Sequence, residues 1–286
     1  MTVESRPVHV VVVAFHAAGL LERCLSHLEG RLAVTVVDNS SDPAVRDVAA
    51  RHGATYLDSG ANLGFGAGAN IALRRLIPGP PCDVLLLNPD AEITPTQVDA
   101  LSRHLHAPGK NRIGAVSPRL VGSTGEEQRV QWPFPHPGRA WLEAVGLGRL
   151  NKAPDYAVGA CLLLRWEAVR DVGLFDERFF LYAEETDWQR RAHDLGWRPD
   201  LAFDVSCRHV GAATSEDSGR REAYFHAGGE TYVRKWFGPM GWTVYRLAVL
   251  AGALARATVT TGPDRARSWN RVRLYAIGPR RAAGLS

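Results

Sequence analysis

The stretch VHVVVVAF, residues 8–15, decides the fold. It is apolar almost without a break and shows no alternation of apolar and polar residues. A half-exposed strand alternates, whereas a strand covered on both faces does not, so this one belongs in a parallel sheet sandwiched between helices. The neighbouring residues supply those helices. Leu20, Leu21, Cys24, Leu25 and Leu28 recur at helical spacing over 19–28. A second β-rich run over 32–38 ends in Asn39-Ser40-Ser41-Asp42-Pro43, a turn and helix-start signal. The spacing then predicts a helix over 43–52, a strand over 54–58, a helix over 64–76 after a glycine-rich entry, and the strand CDVLLL over 82–87. A helix over 95–106 and a strand over 113–117 continue the series. This βαβα alternation predicts an α/β fold with a mostly parallel, doubly wound central sheet flanked by helices.

From 121 to 154 the pattern dissolves into Gly, Pro and aromatics, among them Trp132, Phe134 and Trp141, which reads as a functional loop or linker. Order returns with a strand over 156–165, helices over 166–172 and 184–195, and a strand over 201–209. Beyond Ser215 the chain is helical and rich in arginine. Two domains are therefore expected, 1–215 (in halves 1–120 and 121–215) and a C-terminal helical extension over 216–286.

Composition narrows the function classes. The 286 residues are 45% hydrophobic and 22% charged, as in an ordinary globular protein, which excludes a disordered, collagen-like or disulfide-scaffold chain. The net charge of +4 is a mild excess with no basic stripe or recognition motif, which argues against a nucleic-acid partner. Basic residues do gather between Arg246 and Arg281, and such a surface suits an anionic membrane or a phosphorylated substrate as well as a solvated tail. Cys24, Cys82, Cys161 and Cys207 lack C-x-x-C spacing and sit in apolar runs, so buried free thiols in a reducing compartment are expected. The apolar run at the start is too short for a signal segment. The longest late run, Leu247–Ala255, falls well short of the about 20 residues that span a bilayer. A cytoplasmic protein is expected, soluble or peripheral at the inner face of the membrane.

In an open α/β sheet, ligands bind beyond the carboxyl ends of the strands. Those ends read Phe15-His16, Asp38-Asn39, Asn88-Pro89-Asp90 and His209. Asp38 is placed to bond a base or ribose. Asp90, held behind three leucines and joined by His209, suits a divalent ion carrying a diphosphate. Either aspartate can instead simply start the next turn. A nicotinamide enzyme would show G-x-G-x-x-G after the first strand, and here that turn, Phe15-His16-Ala17-Ala18-Gly19, has one glycine. The densest acidic cluster is Glu184, Glu185 and Asp187, at the head of a helix beside Tyr182 and Trp188. Acids there can cap the helix and favour its dipole. Three of them exceed that need, and their repulsion and burial would raise one pKa toward the range of a general base. Asp187 and Arg191, at i and i+4, can pair and leave a glutamate for chemistry.

In order along the chain, VVVVAF (10–15), VVDNS (36–40), NLGFGAGAN (62–70), LLLNPDAEI (85–93), GACLLLRWEAVRDVGLFDERFFLYAEETDW (159–188) and RHVGAATS (208–215) resemble the motifs of family 2 glycosyltransferases of the GT-A fold, in particular the bacterial rhamnosyltransferase type. The resemblance covers about two thirds of the chain, 8–215. It implies a GT-A, Rossmann-like sheet, with 1–120 binding the nucleotide sugar and 121–215 carrying acceptor and catalysis. Phe15, Asp38, Asn62, Gly64, Asn88 and Asp90 would then contact the donor, and Asp90 and His209 would hold Mg²⁺ or Mn²⁺. Glu185 would be the base, with Glu184 and Asp187 as alternatives. Two departures from the family pattern stand out: Asn88 replaces the first acid of D-x-D, and the base position is Glu rather than Asp.

The implied reaction is an inverting transfer from a nucleoside-diphosphate sugar, dTDP-rhamnose, to a hydroxyl of a cell-surface or polyprenyl-linked glycan. A homodimer and an anionic membrane surface are compatible partners. Two other classes stay open. A nucleotidyltransferase would need a basic triphosphate loop where Ala17-Ala18-Gly19 stands, and a non-catalytic glycan binder would need no acidic helix start.

Overall fold

The first strand, β1, spans Val8–Ala14 and is buried from Val10 onward. It lies in a computed structural model that describes residues 6–148, 154–211 and 218–285. There follow α1 (Ala18–His27), β2 (Ala33–Asp38), α2 (Pro43–Arg51), β3 (Thr55–Asp58), α3 (Phe65–Leu76), β4 (Asp83–Leu87), β5 (Ala91–Glu92), α4 (Pro95–Leu105) and β6 (Ile113–Val121). Next are β7 (Glu127–Gln128), β8 (Gln131–Trp132), α5 (Pro137–Ala144), β9 (Tyr156–Ala157), β10 (Cys161–Leu164), α6 (Trp166–Val172), α7 (Glu184–Asp194) and β11 (Arg198–His209). The chain closes with α8 (Ser218–Val259), α9 (Gly262–Ile277) and α10 (Pro279–Ala282).

The chain divides into two compact units. One comprises Met1–Trp132, Asp155–Phe180 and Glu184–Glu216; the other comprises Pro133–Pro154, Leu181–Ala183 and Asp217–Ser286. The domain boundary expected at 215 and the motif residues 212–215 lie outside the described residues.

The first unit is built on a nine-stranded sheet in the order β3-β2-β1-β4-β10-β6-β11-β5, with β7 on β6. β1 to β4 are parallel, and β6 pairs with β11 in parallel. β10 runs antiparallel between β4 and β6, so β6 and β11 keep the direction of β4. Alternate residues of the central strands feed two cores, because side chains alternate across a strand. Val10, Val12, Leu85 and Leu87 pack with α1, α2 and α4, while Val11, Val13, Val84 and Leu86 pack with α3, α6 and α7. Cys24, Cys161 and Cys207 are buried free thiols and Cys82 is half-buried.

Two expectations change. The strand read over 156–165 is two strands: β9 leaves the main sheet to pair with β8, and only β10 enters it. The stretch over 121–154, read as a loop, contains β7, β8 and α5, the last begun by Pro137 with His136 capping Gly138.

In the second unit α8 breaks at Gly238 (φ 67), followed by Pro239. A left-handed glycine ends one helical run and a proline opens the next. Arg246 donates to the carbonyls of Tyr275 (2.7 Å) and Ala276 (2.8 Å), capping the last turn of α9. Among the described residues no helix is long and apolar enough to cross a membrane.

Candidate active site

The carboxyl ends of β1, β2 and β4 bring Phe15, Asp38 and Asn88–Asp90 to one edge of the sheet. Phe15 is 43% exposed there. Asp38 is different, being fully buried with both carboxylate oxygens engaged. Oδ1 accepts from the amide (2.8 Å) and hydroxyl (2.5 Å) of Ser40, and Oδ2 from the amide of Asp42 (2.8 Å) and the hydroxyl of Tyr56 (2.9 Å). Its role in this geometry is to build the turn after β2, and the expected contact with the nucleoside would have to displace one of these donors. The same turn holds the exit of β1, since the His16 amide donates to Ser40 Oγ (3.1 Å).

Asn62 and Gly64 shape the entry to α3. Asn62 Oδ1 accepts from the Gly64 amide (3.1 Å), and buried Asn39 donates to the Gly64 carbonyl (2.8 Å). Gly64 has φ 83, and a Cβ there would lie 1.8 Å from the carbonyl oxygen of Phe180. That oxygen accepts from the Phe65 amide at 3.0 Å, so only glycine lets the two segments meet.

Asp90 and His209 come together across the short ladder of β5 and β11, in which Ala91 pairs with His209. Asp90 is 5% exposed, and its Oδ1 lies 3.5 Å from His209 Nε2. The other ring nitrogen, Nδ1, lies 2.8 Å from Gln128 Oε1. The set fits a divalent ion: an oxygen and an imidazole nitrogen converge, and the far side of the ring is already anchored. Among the described residues no third Asp, Glu, His or Cys completes a cluster. A Mg²⁺-like ion is commonly held in this way, by one or two protein groups together with substrate phosphates. Two residues before Asp90, the backbone N–H of Asn88 donates to the Ala160 carbonyl (2.9 Å).

The acidic cluster heads α7, and the fold separates its members. Asp187 is fully buried and accepts from Arg191 Nε (3.1 Å), the pair that the spacing predicts; Arg191 also donates to the carbonyls of Val172 and Leu174. Glu184 is 5% exposed, packed where a Cβ on Gly66 would touch it at 3.2 Å. Its Oε2 is buried and takes no hydrogen bond from the described residues. Burial first, and then the charge of Glu185, push its carboxyl well above the ordinary 4.5. Glu185 is only half-buried and passes beside Gly159, at 3.5 Å from where a Cβ would stand. Gly159 precedes Ala160, the partner of Asn88, so Glu185 is brought toward the edge that carries Asp90.

Three supports escaped the sequence reading. Gln189 is buried and grips Ala157, accepting from its amide (2.9 Å) and donating to its carbonyl (2.7 Å), which pins α7 to β9. Tyr182 and Ala183 both have φ 68, a conformation that non-glycine residues adopt mainly where the surroundings impose it. Gln128 holds His209. A lone glutamine in an unpatterned stretch gives no signal by spacing.

No family model matches the chain. The chain is 28% identical over 191 residues to the low-salt glycan biosynthesis hexosyltransferase Agl10 of Haloferax volcanii, a match covering 64% of this chain and 60% of that protein. It is 28% identical over 274 residues to an N-acetylglucosaminyl-diphospho-decaprenol L-rhamnosyltransferase of Mycobacterium tuberculosis, covering 82% of this chain and 88% of that one. Among solved structures, glucosyl-3-phosphoglycerate synthase of M. tuberculosis, in complex with Mn²⁺, UDP and glucosyl-3-phosphoglycerate, superposes with a TM-score of 0.57 at 16% identity, over 80% of each chain. TarS of S. aureus superposes with a TM-score of 0.54 at 13% identity, over 94% of this chain and 54% of that one. The chain shares the fold of these solved structures, and the curated proteins it resembles are glycosyltransferases.

Proposed function

We propose that this GT-A protein is an inverting, metal-dependent glycosyltransferase that moves L-rhamnose from dTDP-rhamnose to a hydroxyl of a polyprenyl-diphosphate-linked glycan. The observation that carries the reading is the convergence of Asp90 and His209 at the sheet edge, with Glu185 beside Gly159 on the segment that leads to Ala160. The mycobacterial relative, named for rhamnosyl transfer to a diphospho-decaprenol acceptor, supports the choice of sugar and acceptor. The complex of the synthase with Mn²⁺ and UDP supports a divalent ion with a nucleotide donor.

Asp90 and His209 hold the ion, and Phe15, Asn62, Gly64 and Asn88 line the donor side. A bound divalent ion supplies charge neutralisation for the departing diphosphate. Glu185 takes the proton of the acceptor hydroxyl as its oxygen attacks the anomeric carbon. The bond from that carbon to the diphosphate oxygen breaks, the diphosphate leaves with the electron pair, and configuration inverts. Burial raises the Glu184 carboxyl well above its ordinary range, which favours its protonated form beside the base.

A lipid-linked acceptor calls for contact with a membrane, and an exposed apolar stripe in the second unit supports it. Met240, Val244, Leu247 and Leu254 of α8 are exposed at i, i+4, i+7 and i+14, with Met240 80% exposed. Leu250, on the same helix, is half-buried, and Arg246 is occupied in capping α9. Exposed Arg256, Arg265, Arg267 and Arg273 supply the attraction to anionic lipid.

The test is calorimetry of dTDP binding with and without Mn²⁺. Asp90→Ala is expected to abolish the metal enhancement. The same metal-dependent affinity in the variant would refute the assignment.

A further inference from the structure

The side chain of Gln128 makes two hydrogen bonds to one residue. Its Nε2 donates to the carbonyl oxygen of His209 (2.8 Å), and its Oε1 faces the Nδ1 of the same residue (2.8 Å). The first bond fixes the orientation of the amide, because a carbonyl oxygen accepts only from the NH₂ end. The amide oxygen therefore points at the ring, and it can only accept. Nδ1 carries the proton, and a neutral ring then turns the lone pair of Nε2 toward Asp90 Oδ1, 3.5 Å away.

Two acceptors so close, the Asp90 carboxylate buried and the His209 ring only 15% exposed, are placed to take a cation between them. The backbone is shaped to keep the amide in place. Gln128 pairs with Leu120 in the β6–β7 ladder. Gly211 (φ 64) passes beside the pair, where a Cβ would stand at ordinary contact distance, 3.5 Å from Gln128 Nε2 and 3.7 Å from the His209 ring.

We infer that Gln128 is a positioning residue that sets the tautomer of His209 and thereby its readiness to bind a divalent ion. This rests on the proposed metal site, and it adds a residue that neither spacing nor the aligned motifs single out. An imidazole in solution favours the other tautomer, with the proton on Nε2, which cannot ligate through that nitrogen. Without Gln128 the ring would have to exchange tautomer before binding. The general cost of losing such an outer partner is about 10- to 100-fold in metal affinity.

The experiment uses the full chain in two measurements. The first is ¹⁵N NMR of the His209 ring in metal-free protein, assigned by comparison with His209→Gln. The wild type is expected to show a protonated Nδ1 and an unprotonated Nε2, and Gln128→Leu to move toward the reverse. The second is Mn²⁺ titration followed by electron paramagnetic resonance, without nucleotide. There Gln128→Leu is expected to bind about 10- to 100-fold more weakly. Gln128→Glu, which still accepts from Nδ1, is expected to keep the wild-type tautomer, and Gln128→Met, similar in length but without the amide, is expected to lose it and carries the test should Gln128→Leu fail to fold. An unchanged tautomer in Gln128→Leu, or a wild-type ring protonated on Nε2, would overturn the inference. A wild type that binds no Mn²⁺ yet shows the Nδ1 proton lost on Gln128→Leu would sink the metal reading while leaving the tautomer control standing.

Discussion

Glu184 and Glu185 are adjacent in sequence, yet the fold gives them different surroundings. Glu184 is buried beside Gly66, whereas Glu185 stands half-exposed beside Gly159. Glu185→Gln keeps size and hydrogen bonding but cannot accept a proton. Its kcat is expected to fall by about 10²- to 10⁴-fold with donor KM nearly unchanged, read by steady-state kinetics at saturating donor. Glu184→Gln and Asp187→Asn are expected to cost less; a dead Glu184→Gln beside an active Glu185→Gln would move the base to Glu184. Glu184 also leaves a mark on stability. Its carboxyl is raised above 4.5 in the folded protein, so the folded state holds a proton that the unfolded state releases. The stability associated with it is complete below pH 4.5 and is lost as pH rises through the folded value. Thermal melts should therefore show Glu184→Gln gaining on the wild type as pH rises above 4.5, and a gap that is constant with pH would contradict this. The sequence exposed the acidic cluster but not its division, because Gly66, the residue Glu184 packs beside, comes from α3, more than a hundred residues earlier. Asp38 followed the same pattern: its position at a strand end was legible, while Tyr56, which engages one of its oxygens, arrives from β3.

At the scale of elements, α8 carries the claim with the most direct test. Its stripe of Met240, Val244, Leu247 and Leu254 is expected to bind anionic liposomes in a flotation assay at low salt. Leu247→Glu with Leu254→Glu should abolish flotation without lowering the melting temperature, since both side chains are already exposed; absence of wild-type binding would remove the membrane claim. The elements themselves were legible where burial leaves a plain mark. β1, β2 and β4 read as strands because both faces are covered, and α6 matched its spacing from Trp166 to Val172. The reversal of β10 was not legible, since CLLL is equally apolar in either direction and its partners β4 and β6 are distant in sequence. Nor was α5, whose first turn holds Pro137 and Gly138 and whose packing surface is α8, about a hundred residues later.

At the scale of the whole molecule, one sheet gathers strand ends from β1 near the start of the chain to β11 some two hundred residues later, and that gathering makes a site from motifs spread through the sequence. The order of those motifs carried the fold and the class of chemistry. Gln128 and Gln189 are single residues whose partners only the fold supplies. The central claim is metal-dependent inverting transfer, and one assay reads it whole. The full chain is incubated with dTDP-β-L-rhamnose and an N-acetylglucosaminyl-diphospho-polyprenol, with Mn²⁺ or with EDTA, and both dTDP and the lipid product are followed. The expected result is dTDP released in step with an α-linked rhamnosyl lipid, lost in EDTA and restored by added metal. Transfer that is indifferent to EDTA, a product that keeps the β configuration, or no transfer from this or any other nucleotide sugar would contradict the account.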